Sequence, residues 1–241
     1  MAVHRIFGVS AITALTVQST QGVRRVEPVP TETVRKSLEC LTEDIEIAGA
    51  KIGMLATSDI VVTVAQWLRG AGIPRERVVL DPVLRSSSGK DLLEAEGVEA
   101  IRRELLPFVG WVTPNLDELH MLVGGGVAGR EEIAGAARRL AALAPGLSVV
   151  VTGGDVDPPD DFLLTAAGEE AWFPGHRVET TSTHGTGCVF SSALLCRLLA
   201  GDGPAEAVRA AKEFVTHALK TAAPVGKGKG PAFTGDLRQP C

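Results

Sequence analysis

IAGAKIGMLATSDIVVTVAQWLRGAGIPRERVVLDPVL, residues 47–84, holds two short apolar runs on either side of a segment with a different period. IAGAKIGML (47–55) and RVVLDPVL (77–84) are apolar on successive residues, as a strand covered on both faces must be. Between them Ile60, Val61, Val64, Ala65 and Leu68 recur at helical spacing, with Ser58 and Asp59 as the N-cap region and Gly70 and Gly72 as the stop. A strand, a helix and a second both-faces-buried strand make a right-handed βαβ unit, which requires a parallel sheet.

The same alternation runs outward from this unit. AITALTVQS (11–19), VGWVTPN (109–115) and LSVVVTGG (147–154) read as further strands, and 31–44, 91–108 and 130–146 as helices. The fold class is therefore α/β, a doubly wound, mainly parallel sheet with helices on both faces. After residue 154 the pattern changes to a hairpin over 161–180, turning at Ala167 and Gly168, which forms an antiparallel edge. Two helices follow, 186–200 and 205–222. No repeat or linker divides the chain, so residues 1–241 form one domain, with a Gly/Pro-rich tail from 224 whose last part, about 233–241, is expected to be mobile.

The 241 residues, 45% hydrophobic and 22% charged, suffice for one large core and argue against disorder. A formal charge of -5 without any Lys/Arg block argues against nucleic acid or an anionic membrane as partner, and leaves a small metabolite. Cys40, Cys188, Cys196 and Cys241 show neither CxxC pairing nor zinc spacing, which suits a reducing compartment. No apolar run spans a bilayer and no cleavable leader is evident, so the chain reads as soluble and cytoplasmic.

In open parallel sheets ligands bind beyond the carboxyl ends of the strands, and here those ends carry chemistry. Gln18, Ser19 and Thr20 follow the first, Met54 the second, Asp81 and Pro82 stand at the third, Asn115 and Glu118 follow the fourth, and Thr152, Gly153, Gly154 and Asp155 the fifth. TTSTHGTGC (180–188) then leads into an apolar helix. Its glycines permit close approach of a ligand, and the helix start aims unpaired N–H groups and a positive dipole end at an anion. The same field should lower the Cys188 thiol from its usual value near 8.5, leaving it a proton acceptor or a nucleophile.

ITALTVQSTQGV (12–23), KIGML (51–55), VVLDPVL (78–84), TPNLDEL (113–119), VVVTGG (149–154), THGTGC (183–188) and GKGKGP (226–231) together resemble the ribokinase superfamily. Within it the chain resembles the hydroxymethylpyrimidine/phosphomethylpyrimidine kinases of thiamine biosynthesis, with pyridoxal kinases close behind. The resemblance implies ATP-dependent phosphorylation of 4-amino-5-hydroxymethyl-2-methylpyrimidine and its monophosphate, with ATP and Mg²⁺ as cofactors and a homodimer as assembly. Pyridoxal kinase, or a non-catalytic pyrimidine-binding copy, is the alternative. It further implies that Cys188 is a general base standing where related sugar kinases carry Asp, and that Gly185, Thr186, Gly187 and Cys188 form the anion hole. By the same resemblance Gln18 reads the aminopyrimidine edge and Met54 walls the ring. Asn115 and Glu118 organise Mg²⁺ and phosphate, Asp81 assists on the nucleotide side, and Thr152, Gly154 and Lys229 line the nucleotide.

Plainer readings stand beside these. Asn115 and Glu118 suit a turn and helix cap, Met54 suits ordinary core, Gln18 could satisfy a loop amide, and His184 reads as a residue that holds its loop. The family also begins with a strand ending in Gly-Ser-Asp and a glycine-rich helix start, ahead of the segment resembling IFGVSAITAL. The resemblance thus implies that about one βα unit is absent, with an upstream start site as the preferred explanation. A lost central strand would leave two neighbouring strands with unpaired backbone groups.

Overall fold

Only Thr20 and Gln21 separate strand β1 (Ala14–Ser19) from β2 (Gly22–Pro28), so short a connection that the two run antiparallel. In this computed structural model, which describes residues 1–86, 89–126, 129–154, 156–232 and 235, they make a two-stranded sheet of their own. This corrects the placement of 11–19 in the main sheet. Gln18 does not follow a strand of that sheet but sits inside β1, beside a bulge at Val17 and Gln18. The mobile-tail expectation for 233–241 falls, Gly235 apart, outside the described residues, as do Asp155 and Cys241.

Helix α1 (Thr31–Asp44) leads to the main sheet, which contains β3 (Ala50–Ile52), β4 (Val78–Leu80), β5 (Trp111–Val112), β6 (Ser148–Val151), β7 (Asp161–Leu164) and β8 (Glu170–Phe173), side by side in that order. The first four strands are parallel and the last two antiparallel. Gly168, at φ 84°, turns the β7–β8 hairpin as expected. Helix α2 (Ser58–Gly70) joins β3 to β4, α3 (Ala95–Ala100) precedes β5, and α4 (Leu116–Val123) and α5 (Arg130–Ala141) join β5 to β6. Helices α6 (Thr186–Leu199) and α7 (Pro204–Thr221) close the described fold.

Successive side chains of each inner strand face opposite sides, and both sides are apolar, which is why these runs showed no alternation. Val78, Leu80, Val112, Val149 and Val151 join one core with α2, α4 and α5, whereas Val79, Trp111 and Val150 join a second with α6 and α7. Helices cover both faces by a particular route. The strand order advances in one direction only, so right-handed crossovers place α2 to α5 on one face. The other face is left for the C-terminal pair.

Local details refine the expectations. The cap of α2 is Thr57, whose Oγ1 accepts from Ile60 N at 3.3 Å, rather than Ser58 or Asp59. The helix expected over 91–108 narrows to α3, then continues through wider turns over 101–105 to a tight turn at Leu106–Phe108, where Pro107 removes an N–H donor. The ladder from β3 to β8 is uninterrupted, which corrects the gap expected between two strands. Its two edges, β3 and β8, each pair with a strand on one side only among the described residues.

Candidate active site

Helix α6 begins at Gly185, whose φ of 81° is a left-handed conformation that glycine adopts without penalty. The first amide with a helical partner is Val189 N, bonded to Gly185 O at 2.9 Å. The N–H groups of Thr186, Gly187 and Cys188 therefore lie in the first turn, where a helix has no acceptor of its own to offer. That turn stands over the carboxyl ends of β3 and β4: a Cβ added to Gly187 would lie 3.9 Å from Asp81 Oδ1.

Asp81, the first residue after β4, is buried and anchors a charged cluster. Its Oδ2 accepts from Ser191 Oγ of α6 at 3.0 Å and pairs with Lys51 Nζ of β3 at 3.2 Å. Only 14% of the Lys51 side chain and 6% of the Asp81 side chain are exposed. Burial draws Lys51 down, yet Asp81 and the Cys188 thiol outweigh it and hold the ammonium above its ordinary value. Cys188 reaches the molecular surface, but the protein packed around its sulfur, and then the Asp81 carboxylate, push the thiol up to about 11. Lys51 pulls the other way without prevailing. The expected acidification by the helix start is thus corrected: desolvation and a full negative charge beside the thiol exceed the partial charge of a helix terminus.

Asn115 and Glu118 form a reciprocal helix cap. Asn115 Oδ1 accepts from Glu118 N at 2.8 Å, and Asn115 N donates to Glu118 Oε2 at 3.0 Å. Asn115 also bridges to Thr152 at the end of β6. Next to Thr152, Gly153 N donates to the buried Asp161 Oδ1 at 2.9 Å, and Asp161 Oδ2 pairs with Lys212 Nζ of α7 at 2.9 Å. Gly154 continues the turn that begins there. A Cβ on Gly153 would meet Asp160 O at 2.1 Å, an overlap with rigid backbone. Gly153→Ala is accordingly expected to lower stability by about 1–3 kcal/mol, read from urea unfolding midpoints, and to raise the KM for nucleotide.

The β1–β2 hairpin reaches the same end of the molecule. Gln18 Nε2 lies 2.9 Å from His184 Nε2, the residue before Gly185. Gly228 N donates to Thr20 Oγ1 at 3.2 Å, and His184 N donates to Gly230 O at 2.9 Å, so the loop carrying Lys229 ties the hairpin tip to the lead-in of α6. Lys229 itself is exposed. Met54 is half-buried after β3, its carbonyl accepting from Thr13 Oγ1 at 2.6 Å.

Asp81, Gly187 and Cys188 thus meet directly, as do Asn115 with Glu118 and Thr152, while Gln18 joins through His184. Sequence reasoning missed Lys51, Ser191, Asp161 and Lys212. For Lys51 a signal was present, since a lysine inside an otherwise apolar strand needs a buried counter-charge. Among the described residues no group of three or more His, Cys, Asp or Glu could hold a metal ion, and no helix is long and apolar enough to cross a membrane.

Solved structures of vitamin kinases share this architecture. The pyridoxal kinase of Bacillus subtilis in complex with ADP superposes with a TM-score of 0.84 at 31% identity, covering 97% of this chain and 88% of that one. The phosphomethylpyrimidine kinase of Clostridium difficile gives 0.78 at 29% identity, covering 91% and 89%. The class is that of ribokinase-type α/β kinases acting on small molecules. Within it, the chain belongs to the phosphomethylpyrimidine kinase family, whose model matches residues 1–233. The hydroxymethylpyrimidine/phosphomethylpyrimidine kinase of Streptomyces coelicolor is 38% identical over 228 residues, covering 95% of this chain and 83% of the relative. That of Haemophilus influenzae is 37% identical over 231 residues, covering 94% and 85%.

Proposed function

We propose that this chain phosphorylates the hydroxymethyl group of 4-amino-5-hydroxymethyl-2-methylpyrimidine with ATP, and then its monophosphate, to give the diphosphate used in thiamine assembly. The observation that carries this reading is the family match over residues 1–233. In the first of these reactions the substrate hydroxyl attacks the γ-phosphorus in line, its O–H proton passes to Cys188 in its thiolate form, and the bridging oxygen leaves with ADP. The amides of Gly185 to Cys188 hold the equatorial oxygens, donors that cost no reorganisation because α6 fixes them in advance. Gln18 and Met54 take the ring, and Thr152, Gly154 and Lys229 take the nucleotide.

Mg²⁺, arriving with the nucleotide, would neutralise phosphate charge. The oxygens of Asn115 and Glu118 suit that ion held through its waters, because Mg²⁺ keeps most of its hydration shell and needs few protein ligands. Ile12, Leu15 and Val17, all more than half exposed on or before β1, favour a homodimer built on the hairpin. A coupled assay of ADP release with the pyrimidine and with pyridoxal tests the reading. Higher kcat/KM for the pyrimidine is expected, and the reverse order would reassign the chain as a pyridoxal kinase, the reading that the likeness to solved pyridoxal kinases favours.

A further inference from the structure

His184 lies in the loop that leads into α6, yet its ring faces the hairpin rather than the phosphate site. Its Nε2 is 2.9 Å from Gln18 Nε2, a contact across 166 positions of sequence. With the carboxamide in this orientation its nitrogen carries the hydrogens, and the imidazole Nε2 accepts. An Nε2 that accepts is the tautomer whose ring hydrogen sits on Nδ1. The other end of the Gln18 amide, Oε1, receives the Thr16 hydroxyl at a long 3.4 Å. The imidazole is therefore the stronger of its two protein contacts.

The ring stands on a fixed post. His184 N donates to Gly230 O at 2.9 Å, Ala232 N donates to His184 O at 3.0 Å, and Gly230 N donates to Thr181 O at 3.0 Å. The same loop grips the hairpin tip: a Cβ on Gly226 would stand 2.4 Å from Thr20 Oγ1, and one on Gly228 2.1 Å from Thr20 O. Two close glycine approaches and a strand-like bridge thus set the distance between β1 and the α6 lead-in. Neither Gln18 nor His184 can drift apart without breaking that loop.

We infer that His184 is a positioning residue that fixes the orientation of the Gln18 carboxamide, and through it the order in which donor and acceptor face the ring of the substrate. The inference rests on the reading of Gln18 as the residue that recognises the ring edge. A primary amide is two-fold in shape but not in chemistry, since rotation by half a turn exchanges its oxygen for its nitrogen. With one Nε2 hydrogen on His184, the second hydrogen and Oε1 face outward together. A 4-aminopyrimidine presents an N–H donor beside a ring-nitrogen acceptor and pairs with that order. Its 4-oxo counterpart presents a carbonyl acceptor beside an N–H donor, the reverse order, and is refused. Without the imidazole, the amide turns to suit either edge.

The discrimination between the 4-amino pyrimidine and its 4-oxo analogue, each measured as a dissociation constant by calorimetry, tests the inference. Wild type should prefer the 4-amino ring, and H184F and H184A should lower that preference by about fivefold or more, the scale of one net hydrogen bond at an exposed contact. H184Q, whose carbonyl can accept where Nε2 did, should keep the preference to within about threefold. In the unmodified protein, nitrogen NMR should show His184 protonated on Nδ1 and bare on Nε2. An unchanged preference in H184F and H184A, equal losses for both rings, or a protonated Nε2 overturns the inference. Gln18→Ala separates the two levels: if it leaves affinity for the 4-amino ring intact, the reading of Gln18 fails, whereas a damaging Gln18→Ala with silent His184 variants removes His184 alone.

Discussion

Cys188→Ala lowers turnover by about 10²–10⁴-fold, the usual contribution of a positioned general base, while the dissociation constant for nucleotide changes little. The two readouts separate because the α6 amides that would hold phosphate belong to the backbone and survive the loss of the thiol. A pH dependence accompanies the effect. A thiol pushed up to about 11 is protonated at neutral pH, and its reactive thiolate grows about tenfold for each pH unit below that value. Turnover of the unmodified chain should therefore rise between pH 7 and 9, and Cys188→Ala should abolish the rise. Turnover that stays high in Cys188→Ala removes the base assignment. A flat profile with an inactive variant would mean that the proton leaves by another group, with Asp81 the nearest carboxylate.

Much of this arrangement was legible in residues 47–84. Val78, Val79 and Leu80 are all buried, and three consecutive apolar residues that must point to alternate faces require cover on both sides. The start of α6 was legible for a similar reason, because Gly185 and Gly187 before an apolar helix demand a special backbone and a close approach. What escaped has a common cause. The β1–β2 pairing depended on reading Thr20 and Gln21 as a two-residue turn, while GVRRVEP resembled any exposed segment. The thiol was misjudged because a sequence displays the helix dipole but not the carboxylate that folding brings beside it. Asp81 and Ser191, 110 positions apart, meet only when α6 crosses the ends of β3 and β4. The reciprocal cap of Asn115 and Glu118 was visible in TPNLDEL.

Lys51→Met should destabilise the fold by about 3–5 kcal/mol, the cost of leaving a buried carboxylate without its partner. Asp81 keeps the Ser191 hydroxyl at 3.0 Å but loses the ammonium at 3.2 Å, and with 6% of its side chain exposed it has little water to turn to. Asp81→Leu strands the ammonium instead and should cost a comparable amount. Replacing both together, Lys51→Met with Asp81→Leu, should recover most of the loss, because an apolar pair of similar volume needs no desolvation of charge. Urea midpoints of the four proteins give the coupling energy, and a double-variant loss equal to the sum of the single losses would show that the two side chains act independently. Catalysis divides the same set differently. Lys51 is the positive group that opposes the upward push on the Cys188 thiol, so folded Lys51→Met should reach a given turnover only at higher pH than the unmodified chain. The apolar pair restores stability without restoring that positive charge. It also removes Asp81, which pushes the thiol up more than Lys51 pulls it down, so the double variant should reach a given turnover at lower pH than Lys51→Met, and identical pH profiles for the two would remove both charges from the proton transfer.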